Sequence, residues 1–276
     1  MRMLINFTKM QGLGNDFMVI DAINQSISLS VMQIQKLSNR HFGVGFDQLL
    51  LVEKPEAHNN DFKYRIFNAD GSEVGQCGNG ARCFARFVVE KKLTNKRFDE
   101  EIVVETKESV MTLLVRNNNE VVVAMGKPIW HSKDIPFGQL DSVNATYVVE
   151  GETLGVVSMG NPHAVLIVDD ISQDIETIAK KIQNSVDFPA GVNVNFVSIM
   201  DRHNITLRVY ERGVGETLAC GSGACATVAY LQKINNIDAN EVTVELKGGE
   251  LFIDIDNNGV NMRGSAEFVF EGQVDI

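Results

Sequence analysis

Two short segments of this chain place a cysteine directly before a glycine-rich turn and a helix-like sequence. They read Cys77-Gly-Asn-Gly and Cys220-Gly-Ser-Gly, about half a chain length apart. A helix N-terminus presents unpaired backbone N–H groups and a partial positive charge, and glycines allow a ligand to approach those groups closely. Each turn could therefore bind a carboxylate. Its cysteine should have a stabilised thiolate, with a pKa below the usual value of about 8.5.

A matched pair of such thiols can perform a reaction that one thiol cannot. Inverting the α-carbon of an amino acid requires removal of a proton from one face and delivery of a proton to the other. Thiols with a pKa near the working pH can serve in either role, and helix N-termini can stabilise the charge that develops on the carboxylate. A single cysteine before glycine is more often structural, but the pair favours Cys77 and Cys220 as acid and base.

The other two cysteines, Cys83 and Cys225, fall inside the helices that follow the turns and are predicted to be packing residues. The spacings Cys-x5-Cys and Cys-x4-Cys, without histidines on the same helices, do not match a usual zinc site. A dithiol redox protein would normally contain Cys-x-x-Cys, which the sequence lacks. We therefore expect no metal site.

The elements that must position these turns are mostly short strands. Apolar and small residues with helical spacing follow each turn, and two further surface helices are expected at residues 31–40 and 175–183. Strand-like runs are bounded by Gly, Asn or Pro. These runs cover residues 4–9, 17–21, 49–53, 62–68, 153–158, 164–168, 192–200, 205–211, 242–247 and 251–255.

The order of these elements repeats weakly, which predicts two similar α+β halves. A chain of 276 residues also exceeds the usual size of one domain. The boundary is expected near the polar tract at residues 117–120, which could be a linker or a hairpin turn. We predict an N-terminal domain of residues 1–119 with Cys77 and a C-terminal domain of residues 120–265 with Cys220.

Composition excludes some classes of partner. The net charge of −11 argues against a nucleic-acid partner or an anionic membrane surface, because both require a basic footprint. The sequence has no run of 18 apolar residues, and the apolar part of its first residues is too short for a signal peptide. We expect a cytoplasmic protein with reduced cysteines.

Both turns lie within longer motifs that resemble those of the diaminopimelate epimerase family. The first motif is Asn68-Ala-Asp-Gly-Ser-Glu-Val-Gly-Gln-Cys77-Gly-Asn-Gly-Ala-Arg, and the second is Glu211-Arg-Gly-Val-Gly-Glu-Thr-Leu-Ala-Cys220-Gly-Ser-Gly-Ala. Shorter matches lie at residues 7–17, 43–48, 159–163 and 188–194. The resemblance therefore covers nearly the whole chain.

The resemblance implies an α/β (α+β) fold of two similar domains, each a curved, mostly antiparallel sheet around a central helix. The active site would lie in the interdomain cleft, and a C-terminal strand at residues 266–276 would complete the first domain. The implied reaction interconverts LL- and meso-diaminopimelate in lysine and peptidoglycan precursor biosynthesis, with no cofactor, neither pyridoxal phosphate nor metal. In the direction from LL to meso, Cys77 would be the thiolate and Cys220 the proton donor.

The resemblance also assigns roles to residues at matching positions. His163 and Glu211 match residues that assist the thiols, and Arg212 could bind the distal carboxylate of diaminopimelate through two nitrogens. The other matches hold the substrate: Asn15, Gln48, Asn68, Asn161 and Asn193 through side chains, and Gly78, Asn79, Gly221 and Ser222 through the backbone. Several of these asparagines would also suit turns without any ligand.

The sequence departs from the family pattern at two positions, and two alternative functions are considered. Ser222 stands where the family usually has threonine, and Phe270 stands where some relatives have a tyrosine associated with dimer contacts; a homodimer is still expected. The nearest alternative is another two-thiol racemase of the same fold, acting on proline, hydroxyproline or histidine. A non-catalytic dinucleotide or phosphate binder is the second, although the sequence lacks G-x-G-x-x-G and Walker A patterns.

Overall fold

The computed structural model of the protein describes residues 4–75, 77–142 and 145–276, which form two compact units. The first unit comprises the chain through Val123 together with Arg263–Ile276, and the second comprises Ala124–Met262. In both units, short strands far outnumber helices. The helices are α1 Val31–Ser38, α2 Gly78–Glu90, α3 Ile175–Gln183 and α4 Gly221–Lys233.

The strands follow one another along the chain, mostly through tight turns. They are β1 Leu4–Gly12, β2 Asn15–Asp21, β3 Gln48–Glu53, β4 Phe62–Asn68, β5 Glu73–Val74, β6 Glu101–Glu105, β7 Val110–Val115, β8 Val121–Gly126, β9 Thr146–Val149, β10 Glu152–Ser158, β11 Pro162–Ile167, β12 Asn193–Ile199, β13 Asn204–Glu211, β14 Gly215–Thr217, β15 Glu241–Leu246, β16 Gly249–Ile255, β17 Val260–Gly264 and β18 Glu267–Asp275.

In the first unit the strands form one mostly antiparallel sheet in the order β18–β1–β2–β3–β4–β6–β7–β8. The pairs β2–β3 and β4–β6 are parallel, and each contains a helix in its connection, as a parallel crossover requires. Helix α1 packs through Ile34 and Leu37 on a cluster with Met18 and Ile20. The sheet is therefore covered on that face by α1.

Helix α2 is buried along almost its whole length, because its small and aromatic residues pack against the same sheet. The ring of Phe84 lies edge-on to those of Phe62 and Tyr64, with centroids 5.9 and 5.0 Å away. The two arginines of α2, Arg82 and Arg86, donate to the carbonyls of Ser265 and Ala266. Its small first turn, with Gly80 and Ala81, lets the helix start close to the strands.

The second unit repeats this arrangement in the order β9–β10–β11–β12–β13–β15–β16, with β11–β12 and β13–β15 parallel. Helix α3 covers a cluster that includes Ile175, Ala179 and Ile182. Helix α4 lies very close to β10, because a Cβ on Gly155 would lie only 2.4 Å from the ring of Tyr230. The predicted fold class, with two similar α/β halves, is confirmed.

The structure refines several expected boundaries. The tract at residues 117–120 is the turn of the β7–β8 hairpin and not a linker, since Arg116 N–H donates to the Glu120 carbonyl at 2.8 Å and Asn119 has a φ of 66°. The division between units falls after Val123. Strands β6 to β9 and β17 were not among the expected runs. Strand β18 pairs with β1, from Leu4 opposite Asp275 onward.

Candidate functional site

Cys77 and Cys220 occupy the same structural position in the two units. Each is the N-cap residue of a long buried helix, α2 or α4, in an extended backbone conformation. The Gly80 N–H donates to the Cys77 sulfur at 3.5 Å. Both sulfurs therefore lie at the positive end of a helix dipole, as the sequence predicted.

Cys77 lies beside the amide of Asn15. The thiol is 3.7 Å from Asn15 Oδ1, which also accepts from Asn79 Nδ2 at 3.5 Å. Tyr64, which the sequence did not single out, donates its hydroxyl to the Cys77 carbonyl at 3.4 Å. A Cβ at Gly80 would lie 2.4 Å from that hydroxyl, so glycine is required there for Tyr64 to reach the turn.

A network of charged residues holds Asn15 in place. Asn15 Nδ2 donates to Asp47 Oδ2 at 2.9 Å, and Arg40 bridges Asp47 and Asp16 at 2.8 Å each. Lys9 is almost fully buried and also pairs with Asp16. Although burial opposes ionisation, hydrogen bonds and charges from Arg40 and Lys9 hold the pKa of Asp16 well below its usual value. The network leaves Asn15 Oδ1 free to face Cys77.

Gln48 and Asn68 lie opposite each other on neighbouring strands of the first unit. Gln48 Nε2 donates to Asn68 Oδ1 at 3.0 Å, and Asn68 Nδ2 donates to Ser72 Oγ at 3.2 Å. Gln48 Oε1 is buried and has no hydrogen-bond partner in the part of the chain that the structure describes. One end of the sheet contains the start of β2, the start of β3 and the end of β4. Helix α2 also begins there, so these amides lie on the same side of the unit as Cys77.

Cys220 is buried next to the carboxyl group of Glu211. Only 5% of Cys220 is exposed, and Thr217 Oγ1 donates to Glu211 Oε1 at 2.6 Å. Burial raises the pKa of Glu211. Burial, followed by the nearby Glu211 charge, raises the pKa of Cys220 well above its usual value. The expectation of a lowered pKa is therefore wrong for Cys220, because desolvation and a carboxylate outweigh the helix terminus.

His163 is fully buried in the second unit, near the first turn of α4. Its Nε2 lies 3.1 Å from both Asn161 Oδ1 and Ser222 Oγ, and its Nδ1 lies 3.2 Å from Asn195 Nδ2. Ser222 Oγ is in turn 3.6 Å from the Cys220 sulfur. Burial lowers the pKa of His163 to about 4. The imidazole is thus neutral at physiological pH.

Asn193 and Arg212 meet at the start of β12. The Arg212 N–H donates to Asn193 Oδ1 at 2.9 Å, and Arg212 Nη1 donates to the Ala190 carbonyl at 2.7 Å. Gly191 has a φ of +70°, and a Cβ there would lie 2.8 Å from Arg212 Cδ. The loop before β12 therefore passes directly against the Arg212 side chain, whose residue is exposed. This arrangement fixes the stem of Arg212 and presents its charge to solvent.

The site residues of the two units are related by the internal repeat. In the parallel pairs, Phe17 lies opposite Gln48 and His163 lies opposite Asn193. Asn15 thus corresponds to Asn161, Gln48 to Asn193 and Cys77 to Cys220. The end of β4 carries Asn68 where the end of β13 carries Glu211. The two thiols consequently have different electrostatic surroundings in otherwise equivalent positions.

Helices α2 and α4 also contain two predicted glycines and the two other cysteines. Gly78 and Gly221 are the first residues of α2 and α4, so their N–H groups belong to the helix termini. Cys83 and Cys225 are fully buried within the same helices, and burial raises the pKa of Cys83 to about 12.

Within residues 4–75, 77–142 and 145–276, no cluster of three His, Cys, Asp or Glu side chains could hold a metal ion. None of the helices in these ranges is long and apolar enough to cross a membrane.

Sequence reasoning did not single out Asn195 as a functional residue. The alternation Asn193-Val-Asn195 within an apolar strand was the available signal, because it places a second amide on the same face as Asn193. Asp47 and Thr217 appeared only as members of motifs. Each of these side chains acts on a neighbour of a cysteine, and such contacts depend on tertiary structure.

Comparisons with known proteins agree with these features. The family model for diaminopimelate epimerase matches residues 7–131 and 155–269. A diaminopimelate epimerase of Vesicomyosocius okutanii subsp. Calyptogena okutanii (strain HA) is 50% identical over 276 residues, covering 99% of this chain and all of the relative. One of Laribacter hongkongensis (strain HLHK9) is 51% identical over 281 residues, with 99% and 100% covered.

Among solved structures, a hydroxyproline epimerase from Agrobacterium vitis with bound trans-4-hydroxy-L-proline has a TM-score of 0.71 at 13% identity, covering 99% of this chain and 93% of that chain. At that identity the likeness concerns the fold alone. The full-length sequence matches, in contrast, include both cysteine turns and every strand that carries a site residue. The chain therefore belongs to the diaminopimelate epimerase family.

Proposed function

We propose that this protein is a diaminopimelate epimerase that interconverts the LL and meso forms by two-thiol acid–base catalysis, without a cofactor. The observation that carries the proposal is the duplicated N-cap cysteine, Cys77 on α2 and Cys220 on α4, in a chain of this family. Equivalent positions in a repeated unit give two similar thiols, and epimerisation requires one on each face of the α-carbon.

The proton balance of the reaction follows from the two thiols. In the direction from LL to meso, the Cys77 thiolate removes the α-proton, and the Cys220 thiol delivers its own proton to the opposite face. The products are a Cys77 thiol and a Cys220 thiolate, and the reverse reaction restores the starting state. The raised pKa of Cys220 supports its assignment as the group that begins protonated. Glu211, whose carboxylate accepts from this thiol, favours the protonated form of Cys220 at the start.

Charge that develops on the reacting carboxylate requires donors that are already oriented. The backbone N–H groups at Gly78 and Asn79 and at Gly221 and Ser222 are the proposed donors, since they start α2 and α4. A helix N-terminus favours an anion by roughly 0.3–1 kcal/mol at an exposed site and by more where water is excluded.

The choice of diaminopimelate requires recognition of its second carboxylate and second amine. We assign the distal carboxylate to Arg212, whose guanidinium can bind two oxygens at once. Five amide side chains are proposed to fix the stereochemistry of the substrate: Asn15, Gln48, Asn68, Asn161 and Asn193. The partnerless Gln48 Oε1 supports this role, because a buried acceptor without a partner is costly unless a ligand satisfies it.

Isotope exchange tests the reaction directly. The purified protein with LL-diaminopimelate in D2O and no added cofactor should incorporate one deuterium at an α-carbon and produce the meso form. Cys77→Ala and Cys220→Ala should each abolish epimerisation, whereas the buried Cys83→Ala should retain most of it as the matched control. An active double variant that lacks both N-cap thiols would disprove the mechanism.

The alternative substrates form a second arm of the same experiment. Proline, trans-4-hydroxyproline and histidine should show no exchange, because none presents the distal carboxylate and amine. Arg212→Lys should raise KM for diaminopimelate more than it lowers kcat, since one ammonium cannot reproduce a two-nitrogen contact. Exchange of proline or hydroxyproline at a comparable rate would reassign the protein to another racemase class.

We also propose a homodimer located in the reducing cytoplasm. Strand β18 pairs on one side with β1 and exposes 55% of Val269 and 48% of Phe270. An exposed apolar strand of this kind invites pairing with a second copy. Light scattering should give twice the mass of the chain, and Phe270→Glu should give the monomer. None of the four cysteines forms a disulfide in the described structure, as expected in a reducing compartment.

A further inference from the structure

The contacts around His163 form a chain of hydrogen bonds with one direction. Asn195 Nδ2 lies 3.2 Å from His163 Nδ1, and an amide nitrogen can only donate. The Nδ1 atom must therefore accept, which places the proton of the neutral ring on Nε2. Nε2–H can then donate to Asn161 Oδ1 and Ser222 Oγ, each 3.1 Å away.

The orientation of the Asn195 amide has an electrostatic reason. Its oxygen is buried and has no hydrogen-bond partner among the described residues. That oxygen lies 2.9 Å from the position of a Cβ on Gly223, in the first turn of α4. The positive end of a helix favours an oxygen over an NH2 group at this place. The oxygen therefore faces α4, and the nitrogen faces His163.

The Ser222 hydroxyl is the point where this chain reaches a thiol. A hydroxyl has one proton and two lone pairs. Asn161 Nδ2 donates to Ser222 Oγ at 3.3 Å, and His163 Nε2–H donates to the same oxygen. With both lone pairs occupied, the hydroxyl proton is left for the Cys220 sulfur at 3.6 Å.

We propose that Asn195 is a positioning residue: it holds His163 as the neutral Nε2–H tautomer, so that the Ser222 hydroxyl donates to the Cys220 sulfur. In the opposite tautomer, bare Nε2 would accept the Ser222 proton, and Cys220 would lose its donor. His163 then acts as a hydrogen-bond donor and not as a base. The donor matters most when Cys220 has given up its proton, because a thiolate requires stabilisation that a thiol does not.

The tautomer can be measured without any activity assay. His163 is the buried one of the five histidines, since His41, His58, His131 and His203 are exposed. In protein labelled with [15N]histidine, the signal that is absent in His163→Gln identifies His163. It should show a protonated Nε2 and a bare Nδ1, unchanged between about pH 6 and 9. A protonated Nδ1, or a mixture of both forms, would overturn the proposal.

Reversal of the tautomer tests the catalytic consequence, which rests on the proposed epimerase function. The carboxylate of Asn195→Asp can only accept, so Nδ1 should become protonated. We expect kcat to fall about tenfold or more, with a smaller change in KM, because the lost bond is to a developing charge. The control is Val197→Ala, which removes buried volume on the same face of β12 and should leave the tautomer and kcat nearly unchanged.

Substitutions of His163 distinguish a role as hydrogen-bond donor from a role as catalytic base. The amide nitrogen of His163→Gln can occupy the place of Nε2 and should keep kcat within about threefold, whereas His163→Leu should lose about tenfold or more. Equal losses in both variants would contradict the donor role. If Asn195→Asp does not fold, the tautomer of the wild type and the comparison of His163→Gln with His163→Leu still test the donor role of His163. Absence of deuterium exchange by the wild type would refute the proposed function alone, because the tautomer remains measurable.

Discussion

At the scale of single residues, one substitution within the internal repeat distinguishes the two thiols. The end of β4 carries Asn68, which is neutral, and the equivalent end of β13 carries Glu211. Burial and this carboxylate together raise the pKa of Cys220. A symmetric pair of thiols would have no preferred starting state. The exchange of an amide for a carboxylate therefore supplies the asymmetry that the proposed acid and base require.

We predict that Glu211→Gln lowers the pKa of Cys220, because the substitution removes a negative charge that opposes the thiolate. Burial still keeps this pKa above that of an exposed thiol. The measurement is the pH titration of the Cβ signal of Cys220 in protein labelled with [13C]cysteine. Its midpoint should move to lower pH than in the wild type.

The control for this titration is Glu216→Gln. Glu216 pairs with Arg208 and Lys247 and has no contact with Cys220 among the hydrogen bonds and ion pairs described for it. Its substitution should leave the Cys220 midpoint unchanged. If Glu216→Gln moved the midpoint as far as Glu211→Gln, the effect would be a general one of net charge, and the local interpretation would be rejected.

At the scale of elements, the turn between β1 and β2 is held by the segment that precedes β3. Asp47 accepts from Asn15 Nδ2 at 2.9 Å and from the Asp16 N–H at 3.1 Å. Arg40 connects the two carboxylates. These contacts fix the side of the Asn15 amide that faces Cys77. The segment before β3 is thus part of the candidate site, although none of its charged groups contacts the thiol in the described hydrogen bonds.

We predict that Asp47→Ala lowers kcat/KM about tenfold, because Asn15 loses the acceptor that orients its amide. The free energy of unfolding should change by no more than about 1 kcal/mol, since 45% of the Asp47 side chain is exposed. Steady-state kinetics and urea unfolding measure the two effects.

The matched control is Asp21→Ala. Asp21 also accepts from an asparagine, Asn24 Nδ2, at 2.7 Å in an exposed turn of the same unit. Asn24 has no contact with Cys77 in its described hydrogen bonds, so kcat/KM should remain at the wild-type value. A similar loss in both variants would show that the Asp47 effect is not specific to the site.

The sequence predicts elements better than it predicts their electrostatics. Periodicity alone located α2 and α4, because a helix buried on all sides requires apolar and small residues at regular spacing. The short runs of β6 to β8 were missed, since five or six residues between polar turns give a weak periodic signal. The direction of the Cys220 pKa could not be predicted, because it depends on burial and on the approach of Glu211, which only the folded strands bring about.

The same distinction applies to the amides of the site. Asn15, Asn68 and Asn193 were predicted because they belong to motifs that resemble those of the family, whereas Asn195 was not. Its role depends on a contact with His163 from the neighbouring strand β11. Pairing of parallel strands brings together residues that are far apart in sequence, and a single sequence does not give that register.

At the scale of the whole molecule, each unit has its own hydrophobic core, so the unfolding of each unit can be measured separately. The one tryptophan, Trp130, lies in the second unit and packs partly buried against the cluster that α3 covers. Lys233 at the end of α4 lies 4.8 Å from its ring centre. Trp130 fluorescence should therefore report unfolding of the second unit, which also contains His163.

We predict that His163 makes the second unit less stable as the pH falls from about 6.5 to about 4. Burial lowers the pKa of His163 from 6.5 to about 4. Between these values the unfolded chain binds a proton that the folded unit does not, so stability is fully present above 6.5 and decreases below it. The whole effect is about 3 kcal/mol at most. It should appear as a lower urea midpoint of the Trp130 transition at pH 5 than at pH 7.

His163→Gln should remove most of this pH dependence, because glutamine does not titrate. The exposed His203→Gln in the same unit is the matched control and should retain it. Glu211 acts in the opposite direction, since its pKa is raised and its ionisation destabilises the folded unit as the pH increases. The difference between wild type and His163→Gln therefore isolates the histidine. An unchanged pH dependence in His163→Gln would mean that folding does not lower the pKa of His163, and this prediction would then be rejected.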